Sequence, residues 1–185
     1  MSREKTIAKL IGVFRQYGYE GATLSRLSEA TGLGRASLYH HFPKGKEEMA
    51  EAVLEYINSC FETTILASLR TNDNPSQRLR VMCQNLNEFY SQGQNTCLLN
   101  VMSLGQANDL FHAPIQQALK TWIDQLAQVL VEAGIESTIA RQRAEDAVIQ
   151  IQGALVLVRG LDDIAPFKRI LANLPENLLE DKIVS

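Results

Sequence analysis

The chain has few cysteines to cross-link it, few prolines to interrupt its helices and few aromatic residues. Its 185 residues include three cysteines, five prolines and one tryptophan, and 6% of them are aromatic. Cys60, Cys83 and Cys97 stand at no metal-ligand or redox-pair spacing, and an odd number of cysteines fits the reducing cytosol. No run approaches the roughly 18 apolar residues that span a bilayer, and the N-terminus has no apolar signal core. We therefore expect a soluble cytoplasmic protein that contacts no membrane.

Catalytic and metal-binding patterns are also missing from the sequence. No nucleophile–base pair, ligand cluster or phosphate loop has a recognisable spacing. His40 and His41 are adjacent, but no third metal ligand follows at a suitable spacing. The sequence therefore favours a protein without metal or cofactor that is not an enzyme. A helical enzyme is the alternative, and turnover of a ligand would support it.

The net charge of −3 hides an uneven distribution of charge along the chain. Residues 1–48 carry eight Lys and Arg against five acidic residues, whereas the remainder carries ten basic and sixteen acidic residues. With 45% apolar residues, the chain can also bury a core. A basic segment on an acidic body is typical of a nucleic-acid reader joined to a second module.

Helical periodicity runs through almost the whole chain, and no segment alternates like a strand. This pattern predicts an all-α fold of about nine helices. A first helix ends near residue 18, and further helical segments cover about 24–31, 35–41, 46–69, 76–91, 97–104, 115–130, 137–159 and 162–173, with an irregular stretch over 105–114. The first three helices form a domain over residues 1–46, and a long helix leads into a helical bundle over 47–185.

Two short helices near the N-terminus are joined by a tight turn. Thr23 is the predicted N-cap of the second helix, Gly32 ends that helix, and Arg35 begins the third. This order predicts a helix-turn-helix, in which the start of the last helix meets base edges in the major groove. An arginine there fits the paired acceptors of guanine. The candidate DNA-contacting residues are Thr23, Ser25, Arg26, Arg35, Ala36, Ser37, Tyr39, His40, His41, Lys44 and Lys46.

The stretch GYEGATLSRLSEATGLGRASLYHHFPKGKEEM resembles the signature of the TetR/AcrR family of transcriptional regulators. The resemblance covers about residues 5–55, and the run LYHHF with its flanking lysines is its most specific part. It implies that Tyr39, His41 and Lys46 contact phosphate and that Thr23 caps the second helix. It places the base-reading positions on Arg35, Ala36, Ser37 and His40.

Two positions depart from the family pattern. Ala36 stands where the family most often has glycine, and its methyl group favours contact with thymine. Gly45 stands where a Ser or Asn precedes the lysine, which predicts a looser cap on the fourth helix. Further along, the stretch GQNTCLLNVMSLG looks like an element of the sensor domains in the LmrA/YxaF branch.

The resemblance also implies a ligand-binding and dimerisation domain from about residue 50 onward. Aromatic and methionine side chains among its helices suit a planar or apolar ligand. The candidate ligand-contacting residues are Phe61, Met82, Phe89, Leu98, Met102, Phe111, Trp122 and Leu126. The alternative is that these side chains, Trp122 among them, only build the core.

The segment VIQIQGALVLV, residues 148–158, is apolar on nearly every side. A helix of this kind must be covered on more than one side, and a partner subunit is the expected source of part of that cover. The candidate dimer-interface residues are Ala147, Ile151, Ala154, Leu155, Val158, Phe167, Ile170 and Leu171. The alternative is that these helices complete the core of a single chain.

Together these features predict a dimeric regulator that binds double-stranded operator DNA and is released by a small, largely apolar or aromatic effector. The rival hypothesis keeps the DNA reader but replaces the effector with thiol oxidation at Cys97, Cys83 or Cys60.

Overall fold

The computed structural model describes residues 2–180, and these contain α-helices and no strand. The predicted all-α fold is confirmed. Within this described range nine helices follow one another: α1 (Arg3–Gly21), α2 (Leu24–Thr31), α3 (Arg35–His41), α4 (Lys46–Phe61, extended by Glu62–Leu66 and Ala67–Leu69), α5 (Pro75–Phe89), α6 (Leu98–Val101), α7 (Gly105–Glu132), α8 (Ser137–Leu161) and α9 (Ala165–Leu179).

The first compact unit comprises the residues up to Ser59 together with Cys97–Ile115. Its core is built on α1, where Leu10 and Phe14 are fully buried. The predicted end of this helix near Gly18 coincides with a break in the helical backbone (φ 66°, ψ −174°), after which the helix continues to Gly21. Helix α1 packs against α2, which in turn contacts α3.

The second compact unit comprises Cys60–Thr96 and the residues from Gln116 onward. In it, α9 packs against both α8 and α5. The buried guanidinium of Arg78 on α5 donates to the carbonyl of Leu69 (3.0 Å) and also to the carboxylate of Glu132 on α7. Because a buried charge must be paired, this arginine ties three helical segments of the unit together. The functional division predicted at residue 46 stays a prediction.

The two largest departures from the predicted helix boundaries each involve a proline. The predicted irregular stretch over 105–114 is wrong, since α7 begins at Gly105 and contains Pro114. Proline removes its own amide donor, but Phe111 and Ile115 on either side are buried and hold the helix in place. The last helix was predicted over 162–173, whereas it spans Ala165–Leu179 and includes Pro175 on its buried side.

The hydrogen-bond pattern of α4 changes after Phe61. Residues Glu62–Leu66 form a π-helical turn, in which the amide of Ala67 donates to the carbonyl of Glu62, five residues earlier. The hydroxyl of Thr64 donates to the carbonyl of Cys60 (2.6 Å). π-helical turns are rare in proteins, and those that do occur are often found at functional sites. The side chains beside this turn are therefore candidates for a functional site.

Candidate nucleic-acid interface

The turn between α2 and α3 is fixed by caps and by buried anchors. The hydroxyl of Thr23 accepts from the amide of Arg26 (3.4 Å), which confirms the predicted N-cap, and Gly32 ends α2 in the left-handed conformation (φ 71°, ψ 13°). Leu27 of α2 and Leu38 of α3 are fully buried. The buried side chains fix how the two helices pack, so the opposite face of α3 is free to meet a partner.

The residues predicted to contact DNA lie mostly on the surface. Nine of the eleven are exposed, and the other two, His41 and Lys46, are half-buried. Arg35 begins α3, and its guanidinium donates to the hydroxyl of Ser25 on α2 (3.4 Å). This bond links the two helices at the end of α3 that a helix-turn-helix presents to base edges.

Tyr39 is held in place by the backbone of the next turn. Its ring lies so close to Gly45 that a Cβ at that position would stand 3.1 Å from Cε1, and Gly45 has a φ of 73°. Glycine is therefore needed there both for its conformation and for the space it leaves. The predicted looser cap of α4 is compensated, because the carboxylate of Glu48 accepts from the amide of Lys44 (3.0 Å).

Two further predicted contact residues, Arg26 and Lys46, are engaged with the end of α1. The guanidinium of Arg26 donates to the carbonyl of Gly21 (2.7 Å) and lies over the ring of Tyr17. The ammonium group of Lys46 donates to the carbonyl of Tyr19 (3.0 Å) and lies 4.2 Å from the centre of its ring. Both cations therefore support the end of α1 in this structure, and either must give up these bonds to reach a phosphate.

A contact that sequence analysis missed joins α1 to the start of α7. The carboxylate of Glu20 accepts from the amide of Gln106 (2.6 Å), and the ring of Tyr19 meets Phe111 edge-on (5.5 Å between centroids). Hydrogen bonds from the backbone amides of Glu20 itself and of Gln106 lower the pKa of the Glu20 carboxyl. A negative charge at a helix N-terminus is stabilised by the helix dipole. The partners are 86 residues apart, so no local pattern announces them.

The predicted ligand-contacting residues are divided between the two units. Leu98, Met102 and Phe111 belong to the first, and Phe61, Met82, Phe89, Trp122 and Leu126 belong to the second. In the second unit, Phe61 packs edge-on against both Phe89 and Trp122, with ring centroids 5.4 Å and 4.9 Å apart. The indole nitrogen of Trp122 is buried and finds no hydrogen-bond partner among the described residues. Whether these residues bind a ligand stays a prediction.

The predicted dimer-interface residues are covered within the chain. Seven of the eight are buried, and Ile170 is half-buried. Helix α8 also leaves large apolar residues exposed: Ile149 is 66%, Val156 is 56% and Leu157 is 49% exposed, and Ile139 and Leu161 are exposed towards its two ends. These exposed apolar side chains are candidates for contact with a partner, and the role of the predicted dimer-interface residues stays a prediction.

The cysteines do not support the redox alternative. Cys83 and Cys97 are buried, and Cys60 is half-buried. Burial, with a smaller contribution from the charge of Glu176, raises the pKa of the Cys83 thiol to about 12. Because the thiolate is the reactive form, Cys83 stays protonated and unreactive near neutral pH.

The described part of the chain contains neither a metal-binding cluster nor a membrane-spanning helix. Within residues 2–180, His, Cys, Asp and Glu side chains form no group of three or more that could hold a metal ion. Of the helices in that range, none combines the length and the apolar character needed to cross a membrane.

Comparison with known proteins covers both parts of the chain. The profile of bacterial regulatory proteins of the tetR family matches residues 7–53, and the profile of the C-terminal domain of LmrA/YxaF-like transcriptional regulators matches residues 75–173. The second match alone covers more than half of the chain.

Sequence similarity to known regulators extends over nearly the whole chain. The HTH-type transcriptional regulator YxaF of Bacillus subtilis is 25% identical over 94% of this chain and 93% of its own length. LmrA, an HTH-type transcriptional regulator of the same organism, is 23% identical over 96% of both chains. Among solved structures, a TetR transcriptional regulator from Legionella pneumophila superposes with a TM-score of 0.82, at 17% identity, over 96% of this chain and 97% of its own. The structural likeness extends the agreement from sequence to fold.

Proposed function

This chain belongs to the TetR family of bacterial transcriptional regulators and has an LmrA/YxaF-like C-terminal domain, and we propose that it is a dimeric repressor released from its operator by a small, largely apolar or aromatic effector. It is a DNA-binding protein and not an enzyme. In the proposal, residues 1–46 read DNA, and 47–185 bind the effector and join the two subunits. In the same proposal, the operator is double-stranded DNA and the protein acts in the cytoplasm.

The exposed start of α3 is the observation that carries this proposal. Arg35, Ala36 and Ser37 are exposed there, while Leu38 is buried and fixes the helix on its support. In a helix-turn-helix, the N-terminal residues of the second helix contact base edges, and an arginine fits the O6 and N7 acceptors of guanine. Tyr39, one position further, is exposed beside Gly45, where its hydroxyl is available to a phosphate.

The uncovered face of α8 supports a two-fold dimer. Ile149, Gly153, Val156 and Gly160 recur at the spacing of one helical face, and a Cβ added to either glycine would meet no atom within 4 Å. Large exposed apolar residues with small residues between them allow the same helix of a second subunit to approach closely. Such a dimer presents two recognition helices to successive turns of a near-palindromic operator.

The aromatic cluster of Phe61, Phe89 and Trp122 supports an effector site in the second unit. Buried polar groups nearly always have a hydrogen-bond partner, so the unpaired indole N–H of Trp122 favours a ligand that brings an acceptor. Phe61 directly precedes the π-helical turn. Helices α4 and α7 supply residues to both compact units, so each is a continuous element through which a ligand can bias the helix-turn-helix.

Operator binding is tested by fluorescence anisotropy with DNA from upstream of the protein's own gene, over a series of salt concentrations. We expect saturable binding with a steep salt dependence, and a loss of about 5- to 150-fold in affinity in Arg35→Ala, corresponding to one guanine contact. Tyr39→Ala should weaken binding on every sequence, because phosphate contacts carry no sequence preference. Arg169→Ala, an exposed arginine of α9, is the matched control and should bind as the wild type does.

Selection from random DNA separates two causes of failure in that experiment. If the upstream DNA binds weakly but a selected sequence binds tightly and needs Arg35, the operator simply lies elsewhere. Equal affinity of the wild type and Arg35→Ala for the selected sequence would contradict the assignment of α3 as the recognition helix.

The acceptor expected in the effector is tested through Trp122, the single tryptophan of the chain. A panel of planar aromatic ketones is screened for release of operator DNA. For a compound that releases it, Trp122→Phe should raise the required concentration about tenfold, because an aromatic ring remains, although a smaller one, and the indole N–H is lost. An analogue without the carbonyl is the control, and its potency should be equal in both proteins. Equal loss for ketone and analogue would show that Trp122 acts by packing alone.

A further inference from the structure

A groove of about 410 Å³ lies between α5 and α9 in the second unit, apart from the aromatic cluster. It is lined on one side by Arg80, Cys83, Gln84 and Asn87, and on the other by Lys168, Leu171, Ala172, Pro175 and Glu176. Small-molecule sites commonly have volumes of about 300–1,000 Å³, so the groove is large enough for a small organic molecule.

The two helices run antiparallel along this groove. Arg80 pairs with Glu176 (3.2 Å) at one end, and beyond the other end the rings of Tyr90 and Phe167 meet edge-on. From Arg80 to Asn87 the helix rises about 10 Å, which sets the length of the groove. Ala172 is exposed between the two ends, and its small side chain leaves the space open.

The chemistry of the groove differs from end to end. Cys83, Leu171 and Pro175 are buried and form an apolar floor. At the Arg80 end, the cation is already neutralised by Glu176. At the opposite end, Lys168 forms no ion pair with any residue in the described range 2–180, and Asn87 offers an amide beside it. The uncompensated charge of the groove is therefore positive and lies at one end.

We propose that this groove binds an amphipathic carboxylate, with the carboxylate at Lys168 and Asn87 and an apolar body of about 10 Å along the floor. A carboxylate there gains a charge-assisted hydrogen bond from the ammonium group. The apolar body replaces water over the floor and stops where the Arg80–Glu176 pair closes the groove. The site is separate from the proposed effector cluster and from the residues proposed to bind DNA.

The test is isothermal titration calorimetry of the full chain with octanoate, whose extended length matches the groove. We expect one site per chain. Ala172→Leu, which fills the groove from an exposed position, should weaken binding at least tenfold, and Lys168→Gln should weaken it by about fivefold. The matched control is Lys120→Gln, which removes an equivalent charge from α7 and should leave the affinity unchanged.

Octanol binding and operator binding provide two further controls. Octanol should bind more weakly than octanoate to the wild type and equally to the wild type and Lys168→Gln, because it lacks the charge. Octanoate binding that persists unchanged in Ala172→Leu would place the ligand elsewhere and overturn the proposal, as would the absence of saturable binding. Operator affinity of the unliganded Ala172→Leu should equal that of the wild type, so a failure here is distinct from a failure of the proposed regulator.

Discussion

A chain carrying Val156→Glu is expected to be monomeric and to bind operator DNA at least about a hundredfold more weakly than the wild type. Val156 lies on the uncovered face of α8 together with Ile149 and Leu157. In a two-fold interface each substitution is present twice, so two carboxylates would be buried without partners. A monomer then contacts one half-site only, and the affinity gained from binding both half-sites at once is lost.

Analytical ultracentrifugation and operator anisotropy measure the two effects on the same samples. The matched control is Val131→Glu, since Val131 is 41% exposed on α7 and receives the same charge. This control should remain dimeric and bind DNA. Thermal melts of both variants establish that the single chain is still folded. A Val156→Glu protein that sediments as the wild type does would remove the interface from this face of α8.

Gly93→Ala should lower the free energy of unfolding by about 2–5 kcal/mol. Gly93 follows α5 with a φ of 94°, a conformation that residues with a Cβ rarely adopt. An added Cβ would also stand 3.0 Å from Cδ1 and 3.2 Å from Cγ of Phe167, which is fully buried on α9. Backbone strain and overpacking therefore act together, and the ring has little room to move.

Gly12→Ala is the matched substitution for this comparison. Gly12 is inside α1, is exposed, and would place its Cβ at least 4 Å from any neighbour. Because alanine is the better helix former, this change should raise stability by about 0.5–1 kcal/mol. Urea unfolding followed by circular dichroism measures both variants. If the two changes had equal effects, the close approach of Gly93 to Phe167 would not exist in solution.

The helix-turn-helix was predictable from sequence because its signals are local. The spacing placed α3 over 35–41, and the structure gives Arg35–His41. Thr23 caps α2 and Gly32 ends it as expected. In each case the residue types that set the boundary lie within a few positions of it, so no knowledge of the tertiary structure is needed.

Other features of the interface depend on contacts that no local pattern encodes. The family resemblance implies that Lys46 contacts phosphate, and the structure adds that its ammonium group lies over Tyr19, 27 residues earlier. The carboxylate of Glu20 meets the start of α7 across 86 residues. A lysine or glutamate on a helix surface has the same sequence signal whether it faces solvent or folds back, so only the fold decides between these roles.

The faces of α8 illustrate a second limit of sequence analysis. An apolar segment over 148–158 correctly indicated that the helix needs cover on more than one side. It did not indicate which side the chain covers itself. Ile151 and Leu155 are buried in the chain, while Ile149 and Val156 are exposed. Side chains of one type serve a core and a subunit interface equally well, so periodicity alone could not assign them.

The π-helical turn after Phe61 points to an insertion during the evolution of this helix. A π turn holds one residue more than an α turn, so Glu62–Leu66 can be regarded as the trace of a single-residue insertion into a regular helix. Because the wide turn absorbs the extra residue, deleting one residue there should restore regular α-helical winding and leave Phe61 against Phe89 and Trp122. Only the side chains within the turn would be redistributed around the helix. Gaining or losing one codon at this point would thus be a short route by which relatives change the residues beside the aromatic cluster without disturbing the cluster itself.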